Sequence, residues 1–220
     1  MQLQNKVIFI TGAASGLGAA SALACARQGA ELFLLDRDPE GLAVIATNAR
    51  ESGIRVETRS GDLCQRQECF DAVADAIARF GRLDALCNIA GITIFHRVSE
   101  VTEADWQKTL AITLSAPFFL SQAALPELIR CRGSLLNVAG SGAIKGTAYT
   151  VPYSSCKAAI IHMTKCMAME YINEPIRINT IAPGGMKTNI MRGQTRPADL
   201  DMDLIRRFAN YDARRQALLA

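Results

Sequence analysis

Histidine is scarce in this chain, at two residues (His96 and His162), and its seven cysteines are odd in number with no C-x-x-C pair among them. Without clustered ligands or paired thiols the sequence offers neither a metal centre nor a disulfide framework, and the thiols read as small core residues of a reducing compartment. Cys156 alone neighbours residues of chemical interest, and reactivity there would need exposure and a lowered pKa. Charge is balanced: 24 Lys and Arg face 21 Asp and Glu, a net of +3, with no basic block and no interleaved aromatics. Nucleic acid is therefore not an expected partner. No signal-like segment opens the chain and no uninterrupted apolar span reaches bilayer length, so no membrane contact and a cytoplasmic location are expected. Low-complexity tracts are missing as well, and 220 residues at 50% hydrophobic content suit a single domain over residues 1–220.

What is present is strongest near the N-terminus. Residues 7–10, Val-Ile-Phe-Ile, form a β-branched apolar run suited to a strand buried on both faces. Gly12, Gly16 and Gly18 follow, with Ser15 and Leu17 between them, and residues 15–27 read as a helix rich in Ala and Leu. Gly12 permits a tight turn, Gly16 leaves the backbone open to a phosphate, and Gly18 lets the helix pack close to the sheet. Free N–H groups at such a helix start attract an anion. The G-x-x-x-G-x-G spacing is weak by itself, so its flanks carry the reading: a second apolar run, residues 31–36, ends in Asp36, 18 residues beyond Gly18. That is close to the distance at which an acid meets the adenosine ribose of a bound dinucleotide.

Apolar runs and helical patterns then alternate. Helices are expected at 39–50 and 66–80 and strands at 54–60 and 83–89; a long helical region at 102–129 is capped by Thr102 with Asp105 and bent by Pro117 and Pro126. A strand at 133–138, a helix of some twenty residues opened by Pro152, a strand at 176–181 and a last helix at 201–219 complete the chain. Repeated β-α units predict an α/β fold with a parallel sheet. Tyr153 and Lys157, four residues apart, share one face of the helix that Pro152 opens. A cation held near a phenol favours phenolate and lowers its pKa toward a range useful for proton transfer.

Taken together these motifs resemble the classical short-chain dehydrogenase/reductase family from Val7 to about Thr188. Thr11 with Gly12, Gly16 and Gly18 matches its cofactor turn; Asp62-Leu63 matches the pair that contacts adenine; Asn88-Ile89-Ala90-Gly91 matches its N-N-A-G motif with the second Asn replaced. Tyr153-x-x-x-Lys157 matches the catalytic pair, and residues 181–188, with Pro183, Gly184, Met186 and Thr188, match the segment that covers the nicotinamide and its phosphates. The resemblance implies a Rossmann-type doubly wound sheet of six strands, the usual seventh missing and the sixth left as an edge, with residues 185–220 as the substrate loop and helix. It also implies a homodimer or homotetramer joined through residues 102–129 and 152–171. Tyr153 would exchange a proton with the substrate oxygen, and Lys157 would lower its pKa and hold the nicotinamide ribose.

Two positions depart from the family pattern. The serine expected thirteen residues before the tyrosine is Gly140, leaving its neighbour Ser141 as the candidate donor, and the asparagine of the family tetrad aligns with Thr113, which cannot reproduce an amide's paired donor and acceptor. Asp36 favours NAD by accepting from the ribose 2′-hydroxyl and repelling a 2′-phosphate, while Arg37 offers NADP a counter-charge. Residues 92–95, 143–149 and onward from Met186 are expected to wall an apolar pocket, hence an apolar alcohol or ketone substrate. Two readings follow: an NAD(P)-dependent oxidoreductase, NAD favoured, that interconverts a secondary alcohol and a ketone, or a dinucleotide-binding scaffold or regulator with weak or lost catalysis.

Overall fold

β1 (Val7–Thr11) is buried along its whole length, as an apolar run must be when strands flank it on both sides and helices cover both faces. The computed structural model describes residues 1–186 with Ile190 and Asp201. Around β1 lie β2 (Glu31–Asp36), β3 (Val56–Ser60), β4 (Ala85–Asn88), β5 (Ser134–Val138) and β6 (Arg177–Ile181), in the order β3-β2-β1-β4-β5-β6 with every pairing parallel. Such pairings need crossovers, supplied by α1 (Gly16–Arg27), α2 (Pro39–Arg50), α3 (Arg66–Phe80), α4 (Glu103–Leu110), α5 (Ala116–Arg130) and α6 (Val151–Glu170). The chain winds outward from β1 to β3, then returns to start again at β4. The loops leaving β1 and β4 therefore diverge and open a crevice at the strands' carboxyl ends.

Two strands start later than the apolar runs suggest, at Val56 and Ala85. Asp84 lies just before β4 and is committed elsewhere: its carboxylate accepts the Val7 N–H at 3.0 Å and pairs with Lys6 and Arg82. Thr102 caps α4 by accepting the Asp105 N–H at 3.1 Å, as expected. The long helical region loosens not at its prolines but one turn earlier, in a π-helical segment at Ala111–Ser115, since Pro117 has no N–H to return to the Thr113 carbonyl. Pro126 sits inside α5 without breaking it. The carbonyl it deprives belongs to Gln122, on the exposed side. The continuous stretch Glu103–Arg130 is, by length and composition, apolar enough to cross a bilayer, though Glu103, Asp105, Lys108, Glu127 and Arg130 keep it from being an uninterrupted apolar span. It instead buries Leu120, Ala124 and Leu128 in the core.

The core has two layers. On one face α3, α5 and α6 cover Phe9, Phe33, Leu35, Leu86 and Leu135, with the Phe9 and Phe33 rings edge to face at 4.9 Å. On the other, α1 and α2 cover Ile8, Ile10, Leu32 and Leu34. On this second face Ala85 and Cys87 of β4 pack against the edge of the α1 and α2 layer, but over β5 and β6 no helix lies among the described residues: Leu136 is only half-buried, and Asn179 and Ile181 are exposed. β6 is the outer strand there, as expected of an edge. Residues 202–219 of the expected last helix, and Thr188, lie outside the described residues.

Candidate active site

The cleft begins where β1 ends. Thr11 Oγ1 accepts the N–H groups of Ile89 (3.0 Å) and Ala90 (3.1 Å), fastening the β1 turn to the loop after β4. Gly12 has φ +68°, and a Cβ there would stand 2.9 Å from the Ala90 Cα, so both the turn and this contact require glycine. A Cβ on Gly18 would lie 2.0 Å from the Gly12 carbonyl oxygen, which shows how closely α1 packs on the turn. At the start of α1, Ser15 makes no capping bond, no acid occupies the first turn, and Gly16 has φ +54°. The first N–H groups of α1 are thus left open toward the cleft, the arrangement that receives phosphate.

A cleft of about 630 Å³ crosses the carboxyl ends of the strands and brings together Gly12, Ser15, Gly16, Leu17, Gly18, Asp36, Arg37, Asp62, Leu63, Ala90, Gly91, Ser141, Tyr153, Lys157, Pro183, Gly184 and Met186. Asp36 does more than line it. Its Oδ2 accepts the Ala14 N–H at 3.0 Å and its Oδ1 the Asp38 N–H at 3.2 Å, bracing the glycine turn from β2. Asp62 accepts the Cys64 N–H at 3.0 Å. That bond chiefly holds its carboxyl below the ordinary range, with help from Lys108 and Arg37. The glycine cradle, the open start of α1, and the free space around Gly184 and Gly185, where an added Cβ meets nothing within 4 Å, fit a dinucleotide laid across this cleft.

At the far end, α6 presents the acid-base pair. Lys157 is 3% exposed, and its Nζ donates to the Val138 carbonyl at 2.6 Å and stands 5.7 Å from the centre of the Tyr153 ring. Burial pulls its ammonium down to about 8. The Tyr153 phenol is pushed above its ordinary value by burial, opposite to the lowering expected from Lys157. The cation is tied to a backbone carbonyl, and desolvation governs the phenol.

Three expectations need correction. Asn88 is not at the cleft: 2% exposed, its Nδ2 donates into the layer behind the sheet, to Asn137 Oδ1 (2.8 Å), Ser121 Oγ (3.2 Å) and the Pro117 carbonyl (3.3 Å). β4 ends at Asn88, and it is Ala90 and Gly91, in the loop beyond it, that line the cleft. Thr113 is buried in the π-helical segment, its hydroxyl donating to the Ile92 carbonyl (3.3 Å) and accepting the Ile92 N–H (3.2 Å). It anchors that loop and has no proton free for relay. Of residues 143–149 only Thr147 lines the cleft, and Ile144 is 71% exposed. Cys156 is 2% exposed and burial pushes its thiol up to about 11, which leaves it an inert core residue. Ile92, Thr93 and Phe95 line the cleft as expected, whereas sequence reading missed Ile112, Thr150 and Ser154 on the wall, and the Val138 carbonyl that holds Lys157. A backbone acceptor carries no residue signal.

The sheet, the cradle and the Tyr-Lys pair define a dinucleotide-dependent oxidoreductase fold, and the family model for short chain dehydrogenases matches residues 6–199. The chain belongs to that family. It is 34% identical over 189 residues to the 3-oxoacyl-[acyl-carrier-protein] reductase of Thermotoga maritima, covering 86% of this chain and 77% of the relative. A 2,5-dichloro-2,5-cyclohexadiene-1,4-diol dehydrogenase of Sphingobium indicum is 35% identical over 190 residues, covering 86% and 76%. Among solved structures, an NAD+-bound xylitol dehydrogenase superposes with a TM-score of 0.80 at 29% identity, covering 84% of this chain and 72% of the other. The activity is that of an oxidoreductase acting on CH–OH groups with a nicotinamide dinucleotide, NAD or NADP.

Proposed function

We propose that this chain interconverts a secondary alcohol and a ketone, with NAD(H) preferred over NADP(H). The observation that carries the reading is the placement of Tyr153 and Lys157 at one end of the cleft whose other end is the glycine cradle. A nicotinamide dinucleotide held by the glycine cradle would supply the hydride acceptor for the carbinol carbon. As phenolate Tyr153 takes the hydroxyl proton while the ketone forms, and as phenol it gives the proton back in the reverse direction. Lys157, anchored on the Val138 carbonyl, stands 5.7 Å from the centre of the Tyr153 ring on the same wall of the cleft, where it would hold the nicotinamide ribose. For cofactor choice, Asp36 is held on the glycine turn by Ala14 with acceptor capacity to spare, which suits a 2′-hydroxyl and opposes a 2′-phosphate. Arg37 is the counterweight, and tighter binding of NADPH than NADH in a fluorescence titration would reverse this preference.

Replacing Tyr153 with Phe tests the mechanism: kcat should fall roughly 10²–10⁴-fold while NADH affinity holds. Turnover that survives the change would defeat it. The binding-only reading draws on Gly140 and on the closed hydroxyl of Thr113, and predicts nucleotide affinity with no alcohol oxidised by the wild type. We extend the proposal to a homodimer through α4, α5 and α6, where Trp106 and Phe118 leave apolar surface exposed; a monomeric mass in sedimentation would end it.

A further inference from the structure

Beside the Tyr153 phenol lies room that the described residues leave unfilled. Gly140 has extended backbone (φ 174°, ψ 163°), a conformation any residue adopts, so the backbone does not call for glycine. A Cβ there would meet Tyr153 Oη at 3.7 Å and the Pro183 carbonyl oxygen at 4.0 Å, with nothing nearer among the described residues. Gly140 faces the cleft, so this gap opens toward the substrate.

Chemistry makes the gap consequential. The substrate oxygen carries negative charge as the bond to hydride forms or breaks, and one donor, Tyr153, is fewer than such sites use. Among the described residues, no side chain stands in the place next to it. Ser141 begins a 3₁₀ turn (Ser141–Ala143) pinned by its own N–H to the Pro183 carbonyl at 2.8 Å, and its hydroxyl makes no bond to Tyr153 among the described residues. On the same wall, Thr150 gives its hydroxyl proton to the Thr147 carbonyl (3.0 Å), so in the 2.8 Å pair with Ser154 the serine is the donor. The Ser154 proton is thus spent on Thr150, and this hydroxyl offers the substrate no donor.

Resting on the oxidoreductase reading above, we propose that the substrate fills the gap with a hydroxyl of its own, on the carbon next to the reacting one. The substrate class is a vicinal diol, or an α-hydroxy ketone in reduction, and the second hydroxyl donates to the reacting oxygen where the protein has no donor. Residue 140 is then a specificity determinant through the side chain it lacks.

The test pairs trans-1,2-cyclohexanediol with cyclohexanol, using NAD+ as oxidant and wild type, Gly140→Ser and Ser141→Ala as proteins. Wild type should favour the diol in kcat/KM by about a hundredfold, the worth of one oxyanion donor. Gly140→Ser places a protein hydroxyl in the gap and should raise cyclohexanol turnover while lowering that of the diol. Calorimetric titration of the NADH-saturated proteins gives a second reading: Gly140→Ser should weaken the diol about tenfold and leave cyclohexanol unchanged. Equal kcat/KM for the two alcohols in wild type, a parallel gain for both in Gly140→Ser, or cyclohexanol turnover abolished by Ser141→Ala overturns the proposal. If neither alcohol turns over, the calorimetric pair still decides it, and the failure counts against the oxidoreductase reading alone.

Discussion

Adjacent leucines stand in two strands of the same sheet in different surroundings. In β2, Leu34 faces α1 and α2, Leu35 faces the α3, α5 and α6 layer, and both are fully buried. In β5, Leu135 is fully buried in that same layer, whereas Leu136 points to the face over which no described helix lies and is only half-buried. Among the described residues, the nucleotide half of the molecule is thus a closed sandwich, while β5 and β6 in the catalytic half are covered by helices on one side. Successive side chains of a strand alternate faces, so the burial of β1 and β2 is continuous and that of β4, β5 and β6 alternates. A strand of apolar sequence does not by itself report how many layers it serves.

The sharpest way to break this comparison is four Leu→Ala variants measured by urea unfolding. Those at positions 34, 35 and 135 should each cost about 2–5 kcal/mol, and that at 136 about 1 kcal/mol or less. An equal loss at 136 would mean that the second face of the catalytic half is covered in solution.

Asp84 joins the halves from below, tying β1 to the start of β4. Burial works to raise its carboxyl, but Arg82, the Val7 N–H and Lys6 outweigh this and hold it below the ordinary range. A carboxylate with a lowered folded pKa contributes stability at neutral pH that is lost as pH falls through that value. Asp84→Asn should therefore cost about 1–3 kcal/mol near pH 7, discounted because Lys6 and Arg82 are nearly half exposed. The two proteins should converge in stability on acidification below the ordinary carboxylate range; a gap that persists would place the effect in packing.

A smaller effect probes the catalytic half alone. Lys157 titrates at about 8 in the fold against roughly 10.4 in an unfolded chain. Between those values the unfolded chain holds a proton that the folded one has released, so raising the pH stabilises the fold. Below pH 8 the buried ammonium is a cost. Lys157→Met should gain roughly 1–2 kcal/mol at pH 7, after the loss of a partner for the Val138 carbonyl is counted, and the gain should fade toward pH 10. Thermal melts across that range check the sign, and a variant less stable than wild type at pH 7 would mean that the Val138 bond outweighs desolvation.

Much of this was legible in residues. The glycine turn announces itself because Gly12 and Gly18 sit where any Cβ collides, and Asp36 because an acid closes an apolar run at a fixed distance. Tyr153 and Lys157 declare a shared helix face by spacing. Less could be read from Asn88 and Thr113: a polar residue at the right place in a motif looks the same whether it meets a ligand or a buried amide, and only the packed layer behind the sheet distinguishes them. The direction of the Tyr153 shift was equally hidden, since it depends on how much water the fold removes.

By itself the amino-acid order determined the sequence of strands and helices, the parallel sheet they form and the two ends of the cleft, because these follow from local periodicity and from glycines that no other residue can replace. Tertiary structure alone decided which polar groups face the cleft, that Lys157 rests on Val138, and that space stands open beside Tyr153. Those are matters of distance between segments far apart in the chain, and burial, which sets the energy of each charge and hydroxyl, exists only once the layers have closed.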